Sequence, residues 1–129
     1  MADIAFNSGE AAMALAALLA EHNGGDVTVL DVSTQAGWAD RFVIATATSS
    51  AHLRGLARFI DGEADRLGLR RLGKRATLAD DDEWLLVDFG DIVVHVMTER
   101  ARTFYELEKL WFESMAVKVE ARKPSSTDA

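Results

Sequence analysis

The 129-residue sequence predicts a single α/β domain, a small mixed β-sheet flanked by helices. Three observations lead there. Residues Trp84-Leu85-Leu86-Val87-Asp88-Phe89 and Ile92-Val93-Val94-His95-Val96-Met97 are β-rich runs joined by Gly90-Asp91, and this two-residue link suits a primed hairpin turn because Gly takes φ > 0 at little cost. Phe42-Val43-Ile44-Ala45-Thr46-Ala47 is almost continuously apolar, as a central strand covered on both faces would be. Leu53, Leu56, Ile60, Ala64 and Leu67 recur at three- and four-residue steps, the stripe of a helix that lies on a sheet.

In chain order, Ser8 is placed to cap a helix starting at Gly9, with a stripe of Met13, Leu15, Leu18 and Leu19 and a stop at Asn23-Gly24-Gly25. Its alanines imply close packing. A short β-branched strand spans Asp26 to Val32, and a loop through Gly37, Trp38 and Asp40 leads to the central strand. Ser49 or Ser50 caps the next helix, which Gly68 ends. Leu69-Arg70-Arg71-Leu72 then suggests a strand completing a crossover beside the hairpin. Asp80-Asp81-Asp82-Glu83 reads as a solvated acidic turn. Thr98 caps a last helix carrying Phe104, Tyr105, Leu107, Leu110 and Trp111, with Arg102 and Glu106 as an i,i+4 pair and Phe104 and Trp111, seven apart, on its packed side. The domain is expected over residues 1–118, with a flexible tail over 119–129.

The hairpin register follows from its turn. Phe89 faces Ile92, Val87 faces Val94 and Leu85 faces Val96, which puts these six on one core-directed side. Trp84, Leu86, Asp88, Val93, His95 and Met97 share the other side, too apolar for open water and too polar for an ordinary core. Another element of the chain or a partner protein is expected to cover it.

Composition narrows the function. A net charge of −7 and a pI near 4.9 argue against broad phosphate-backbone binding and for docking on a basic protein. Without cysteine there is no disulfide, thiolate metal site or cysteine nucleophile. No signal-like start and no apolar run of about 18–20 residues occurs, so a cytoplasmic protein without a membrane partner is expected.

Motifs of catalysis fail on context. Gly68-Leu69-Arg70-Arg71-Leu72-Gly73-Lys74-Arg75 has P-loop glycines and lysine, but Arg75 stands where Ser or Thr must meet magnesium, and a helix precedes it where a strand is required. Asp88-Phe89-Gly90 matches a kinase triplet by letters alone. Asp88 and His95 are diagonal neighbours that could form a general-base pair, yet no nucleophile stands beside them, and a carboxylate orienting a histidine is the simpler reading. His22, His52 and His95 share no metal-ligand spacing, so neither metal nor cofactor is expected.

The run Glu83 to Val96, followed by Arg102-Thr103-Phe104-Tyr105-Glu106-Leu107-Glu108-Lys109-Leu110-Trp111, closely resembles the ribosomal silencing factor, or Iojap-like, family. Asp26-Val27-Thr28-Val29-Leu30-Asp31-Val32 and Ala39-Asp40-Arg41-Phe42-Val43-Ile44 match it in order and spacing, so the resemblance spans roughly residues 10 to 113. The chain departs from the pattern at Ala47-Thr48-Ser49 and at Leu72-Gly73-Lys74-Arg75. The resemblance implies a nucleotidyltransferase-like topology without transferase activity. It implies a translational repressor that binds ribosomal protein fourteen of the large subunit and blocks joining of the small subunit, and that is a homodimer when free. Sequence-specific nucleic-acid binding is not implied. Carried onto this sequence, the partner surface comprises Trp84 as apolar anchor, Leu86, Asp88, His95 and Met97 on the sheet, and Tyr105 and Glu108 on the last helix, while Gly90, Asp91 and Trp111 hold the fold. The competing reading is a nucleotide-binding relative of the transferases, with nucleotide and magnesium near Ser49 and Asp88.

Overall fold

A computed structural model describes residues 7–37, 39–73, 76–77, 83–106 and 115–120. Its elements are α1 (Ser8–Glu21), β1 (Gly25–Asp31), α2 (Ser33–Ala36), β2 (Arg41–Ala47), α3 (Ser50–Leu67), β3 (Ala76–Thr77), β4 (Trp84–Asp88), β5 (Ile92–Thr98), α4 (Glu99–Tyr105) and β6 (Met115–Lys118). The six strands form one mixed sheet in the order β3-β4-β5-β2-β1-β6, with β2 and β5 parallel and the other pairs antiparallel. This is the α/β architecture expected from the sequence.

β2 lies between β1 and β5, and Phe42, Val43, Ile44 and Ala45 are buried, as the unbroken apolar run requires. One side of the sheet packs on α1 and α3, where Leu15, Leu19, Leu53, Leu56 and Ile60 join Leu85, Val87, Ile92, Val94 and Val96 in the larger core. Phe89, the sixth residue assigned to that side of the hairpin, is there as well. On the other side Leu30, Val32, Phe42, Ile44, Val93 and Met97 meet Ala101 of α4, with Trp84 and Leu86 packed against them. The hairpin register is as derived, with Leu85 paired to Val96 and Val87 to Val94, and the Phe89 N–H donating to the Ile92 carbonyl at 2.8 Å. Ser49 caps α3, and Gly68 ends it in the left-handed region at φ +75°.

Several expectations are corrected. Asn7, not Ser8, caps α1: its side chain accepts from the Glu10 N–H while the Glu10 side chain accepts from the Asn7 N–H, a reciprocal capping box. The buried face of α1 is Ala11, Ala12, Leu15, Ala16 and Leu19, with Met13 exposed, because small alanines let the helix sit close on β2 and α3. Residues 69–72 are not a strand. Leu72 N–H donates to the Asp88 carbonyl at 2.7 Å, and the strand beside β4 is β3 instead. α4 stops at Tyr105, where Glu106 turns left-handed at φ +48°, so Phe104 lies in solvent and not on a packed side. β6, not foreseen, adds a strand to β1, and the Val119 N–H continues the ladder to the Val27 carbonyl at 2.8 Å. Trp38, Lys74, Arg75, Asp80 to Asp82, Glu108, Trp111 and residues 121–129 lie outside the described residues.

Candidate functional site

Among the described residues the second side of the hairpin is only partly covered, and what remains is aromatic. The Trp84 indole, at the start of β4, is half-buried over His95 of β5, and the hairpin register places Leu86 directly opposite His95. Trp84 packs on Tyr105 of α4 with ring centroids 4.9 Å apart, and Tyr105 meets Phe104 edge-on at 4.9 Å. Phe104 is 75% exposed and Tyr105 41%. Three adjoining rings thus reach from sheet to solvent. Together they bring an apolar body and a polar tip to one surface, a combination common in protein contacts.

Why Trp84 sits there is local. Its N–H points inward and donates to Nδ1 of His95 at 3.1 Å. That acceptor role puts the His95 proton on Nε2, which is buried and has no hydrogen-bond partner. Burial pushes the His95 pKa down to about 4, so the ring is neutral at physiological pH, packed edge-to-face on Phe42 at 4.9 Å. Glu83 fixes the approach to β4: its carboxylate accepts from the Thr98 hydroxyl at 3.0 Å and from the Arg100 guanidinium, and these bonds hold its pKa below the usual carboxylate range. Thr98 also caps α4 by accepting from the Ala101 N–H, so one cluster sets both the strand and the helix that present the rings.

The expected site residues divide. Trp84, Leu86 and Tyr105 come together at the surface, as the alternation and the helix placement required. His95, 4% exposed, and Met97, fully buried, lie beneath that surface and cannot themselves touch a partner. α4 covers them, because β5 runs straight into its cap at Thr98. Asp88 does not engage His95. Its Oδ1 accepts from the Gly90 N–H at 2.8 Å and closes the turn, and His95 already serves Trp84, so no general-base pair forms. Phe104 belongs to the exposed group and was misassigned, since seven-residue spacing with Trp111 was read as a packed stripe on a helix that ends at Tyr105.

Arg102, expected as an i,i+4 partner of Glu106, is 8% exposed. Its guanidinium donates to the Thr46 hydroxyl at 2.9 Å and the Thr28 hydroxyl at 3.3 Å, and lies 3.7 Å from Asp26, which Lys118 of β6 also binds at 2.8 Å. The Lys118 hydrogen bond, with Arg102 nearby, holds the Asp26 carboxyl below its usual pKa. These contacts tie α4 and β6 to the bulged start of β1.

A nucleotide site near Ser49 and Asp88 is not assembled. Ser49 follows the β2 end paired with Thr98, whereas Asp88 pairs with Val93 at the other end of β5, about 16 Å away along the strand. Two cavities of about 530 and 630 Å³ adjoin at the Thr98 end, sharing Gly25, Thr46 and Glu99, with the Arg102 cluster lining the first. Among the described residues no three His, Asp or Glu side chains converge as metal ligands, and no helix is long and apolar enough to cross a membrane.

Comparisons with known proteins agree with the hairpin-and-helix signature. The family model described as "Ribosomal silencing factor during starvation" matches residues 5–129. A ribosomal silencing factor of Treponema pallidum is 38% identical over 108 residues, covering 84% of this chain and 96% of its own length. "Mitochondrial assembly of ribosomal large subunit protein 1" of Mus musculus is 37% identical over 103 residues, 75% of this chain but 43% of that protein. A solved protein structure from Chromobacterium violaceum superposes with a TM-score of 0.76 at 29% identity, covering 93% of this chain and 92% of the other. With the family model matching residues 5–129 and a relative 38% identical over 84% of the chain, the chain belongs to the ribosomal silencing factor family.

Proposed function

We propose that this protein is a non-enzymatic translational repressor that docks on the large ribosomal subunit, through ribosomal protein fourteen, and blocks joining of the small subunit. The observation that carries the reading is the surface formed by Trp84, Tyr105 and Phe104, a solvent-facing aromatic group fixed from below and set in an acidic chain. Large aromatics on a rigid base anchor interfaces at low entropic cost, and a net charge of −7 favours approach to a basic ribosomal protein. Leu86 extends the apolar part, and Glu108 supplies a charged contact. His95 and Met97 act from beneath. No turnover is needed, only occupancy. The free protein pairs through the same aromatic surface, so self-association and docking compete.

A joining assay tests this. Mixed with purified subunits, the protein lowers the yield of complete ribosomes in proportion to its occupancy of large subunits, and full joining at saturating occupancy overturns the proposal.

A further inference from the structure

We propose that the outward face of α3 is a second contact surface, lying against the phosphate backbone of large-subunit RNA. The identity of that RNA rests on the docking reading above. Residues 54–75 hold seven of the 14 basic residues and three of the 21 acidic ones, so this segment is net +4 in a chain of net −7. Averaging over the chain hides that segregation. Leu53, Leu56, Ala57, Ile60 and Ala64 turn into the core, leaving Arg54, Arg58 and Arg66 exposed, with Arg70 and Arg71 just beyond the helix. The acids here are Asp61, bound to Arg71 at 3.3 Å, Glu63, bound to Arg66 at 2.7 Å, and Asp65. The Arg71–Asp61 pair is partly exposed and exchanges readily for a phosphate, whereas Glu63 grips Arg66 through both carboxylate oxygens, so Arg54 and Arg58 carry the contact.

Two further features share this face. Gly55 and Gly62 stand in the middle of α3, where alanine makes a better helix, yet a Cβ at either would meet nothing within 4 Å. Nothing among the described residues requires them, whereas a backbone approaching from outside would. Phe59 is exposed and stacks on His22 with centroids 3.6 Å apart and planes 15° from parallel, a flat aromatic platform among arginines. RNA supplies a partner for all three: phosphates for the guanidiniums, a base for the ring, and an extended backbone close to the helix. A basic protein would be repelled here. α3 and α4 lie on opposite sides of the sheet, so this contact and the Trp84 contact do not compete.

Affinity of the full chain for purified large subunits, measured over a range of potassium chloride, tests the proposal beside two double variants. Arg54→Glu/Arg58→Glu is expected to bind at least tenfold more weakly at low salt and to flatten the logarithmic salt slope by about 1.4–1.8, the loss of two phosphate contacts. Gly55→Ala/Gly62→Ala is expected to melt at a higher temperature and yet bind more weakly, which a purely structural role would not produce. Unchanged affinity and slope in the charge-reversal variant overturn the proposal, as does weaker binding with an unchanged slope, the mark of a protein contact. If wild type does not bind large subunits, the docking reading falls, and filter binding to deproteinised large-subunit RNA at low salt decides this one. Weaker retention of the charge-reversal variant then supports it, and equal or absent retention overturns it.

Discussion

The Trp84 Nε1–H donates to Nδ1 of His95, and this single 3.1 Å bond joins the exposed aromatic face to the buried core. The histidine pays for it with a buried Nε2 that has no partner. Replacing His95 by Leu removes the acceptor and leaves the indole N–H unsatisfied in a half-buried site. Because the same change removes the unpartnered Nε2–H, folding stability is expected to shift by no more than about 1 kcal/mol, and the readout is a red shift in the fluorescence of Trp84 in a Trp38→Phe/Trp111→Phe background. Unchanged emission would show that the bond does not set the indole's position.

The same histidine predicts an acid limb in the stability profile. Unfolded, His95 takes its proton near the ordinary 6.5; folded, burial delays this to about 4. Its contribution is therefore fully present above about pH 6.5, declines as pH falls towards 4, and is gone below that. The total loss is about 3 kcal/mol. Asp26, Asp31 and Glu83, whose carboxyls are held below their usual range by hydrogen bonds, act in a lower window: they stabilise above the ordinary carboxylate pKa and lose this as pH drops through their folded values. Denaturant unfolding from pH 7.5 down to about 2 separates the two, because His95→Gln abolishes the upper limb and leaves the lower one.

Arg102 is a structural cation, and its removal should be felt in three elements at once. Arg102→Met leaves Asp26 without its α4 partner and frees the Thr46 and Thr28 hydroxyls. About 2 kcal/mol is expected, below the roughly 3–5 kcal/mol of a fully dry pair because Asp26 remains largely in water. Hydrogen exchange is expected to rise in β1 and β6 before it does in β4.

Asp88 separates turn from chemistry. Asp88→Ala removes the acceptor for the Gly90 N–H and should cost about 1 kcal/mol in urea unfolding, while leaving affinity for large subunits within about twofold. A large loss of affinity in a folded variant would return Asp88 to the contact surface. Magnesium with a nucleoside triphosphate at millimolar concentration should leave the melting temperature unchanged, and a clear upward shift would restore the nucleotide-binding reading.

What the sequence revealed follows what its residues could signal locally. The hairpin was legible because Gly90-Asp91 sets the register and alternation sets the sides, and α3 because its stripe, cap and Gly68 agree. The end of α4 at Tyr105 was not legible because its stop uses Glu106 at positive φ, where glycine would have marked it. β6 carries only four residues, and its partner β1 lies some 85 positions upstream, so nothing nearby announces the pairing. Trp84, Leu86 and Tyr105 could be grouped from alternation and helix placement. That Met97 and His95 lie underneath, and that Arg102 turns inward to Thr28 and Thr46, depends on how α4 crosses the sheet. Only tertiary structure sets that.

The central claim is that the aromatic face docks the protein on the large subunit. Co-sedimentation with purified large ribosomal subunits, comparing wild type and Trp84→Ala after circular dichroism shows both folded, tests it most directly. Wild type is expected to sediment with the subunits and the variant to bind about 30-fold more weakly, the roughly 2 kcal/mol of a buried aromatic anchor. Equal sedimentation of a folded Trp84→Ala, or no sedimentation of wild type, would contradict it.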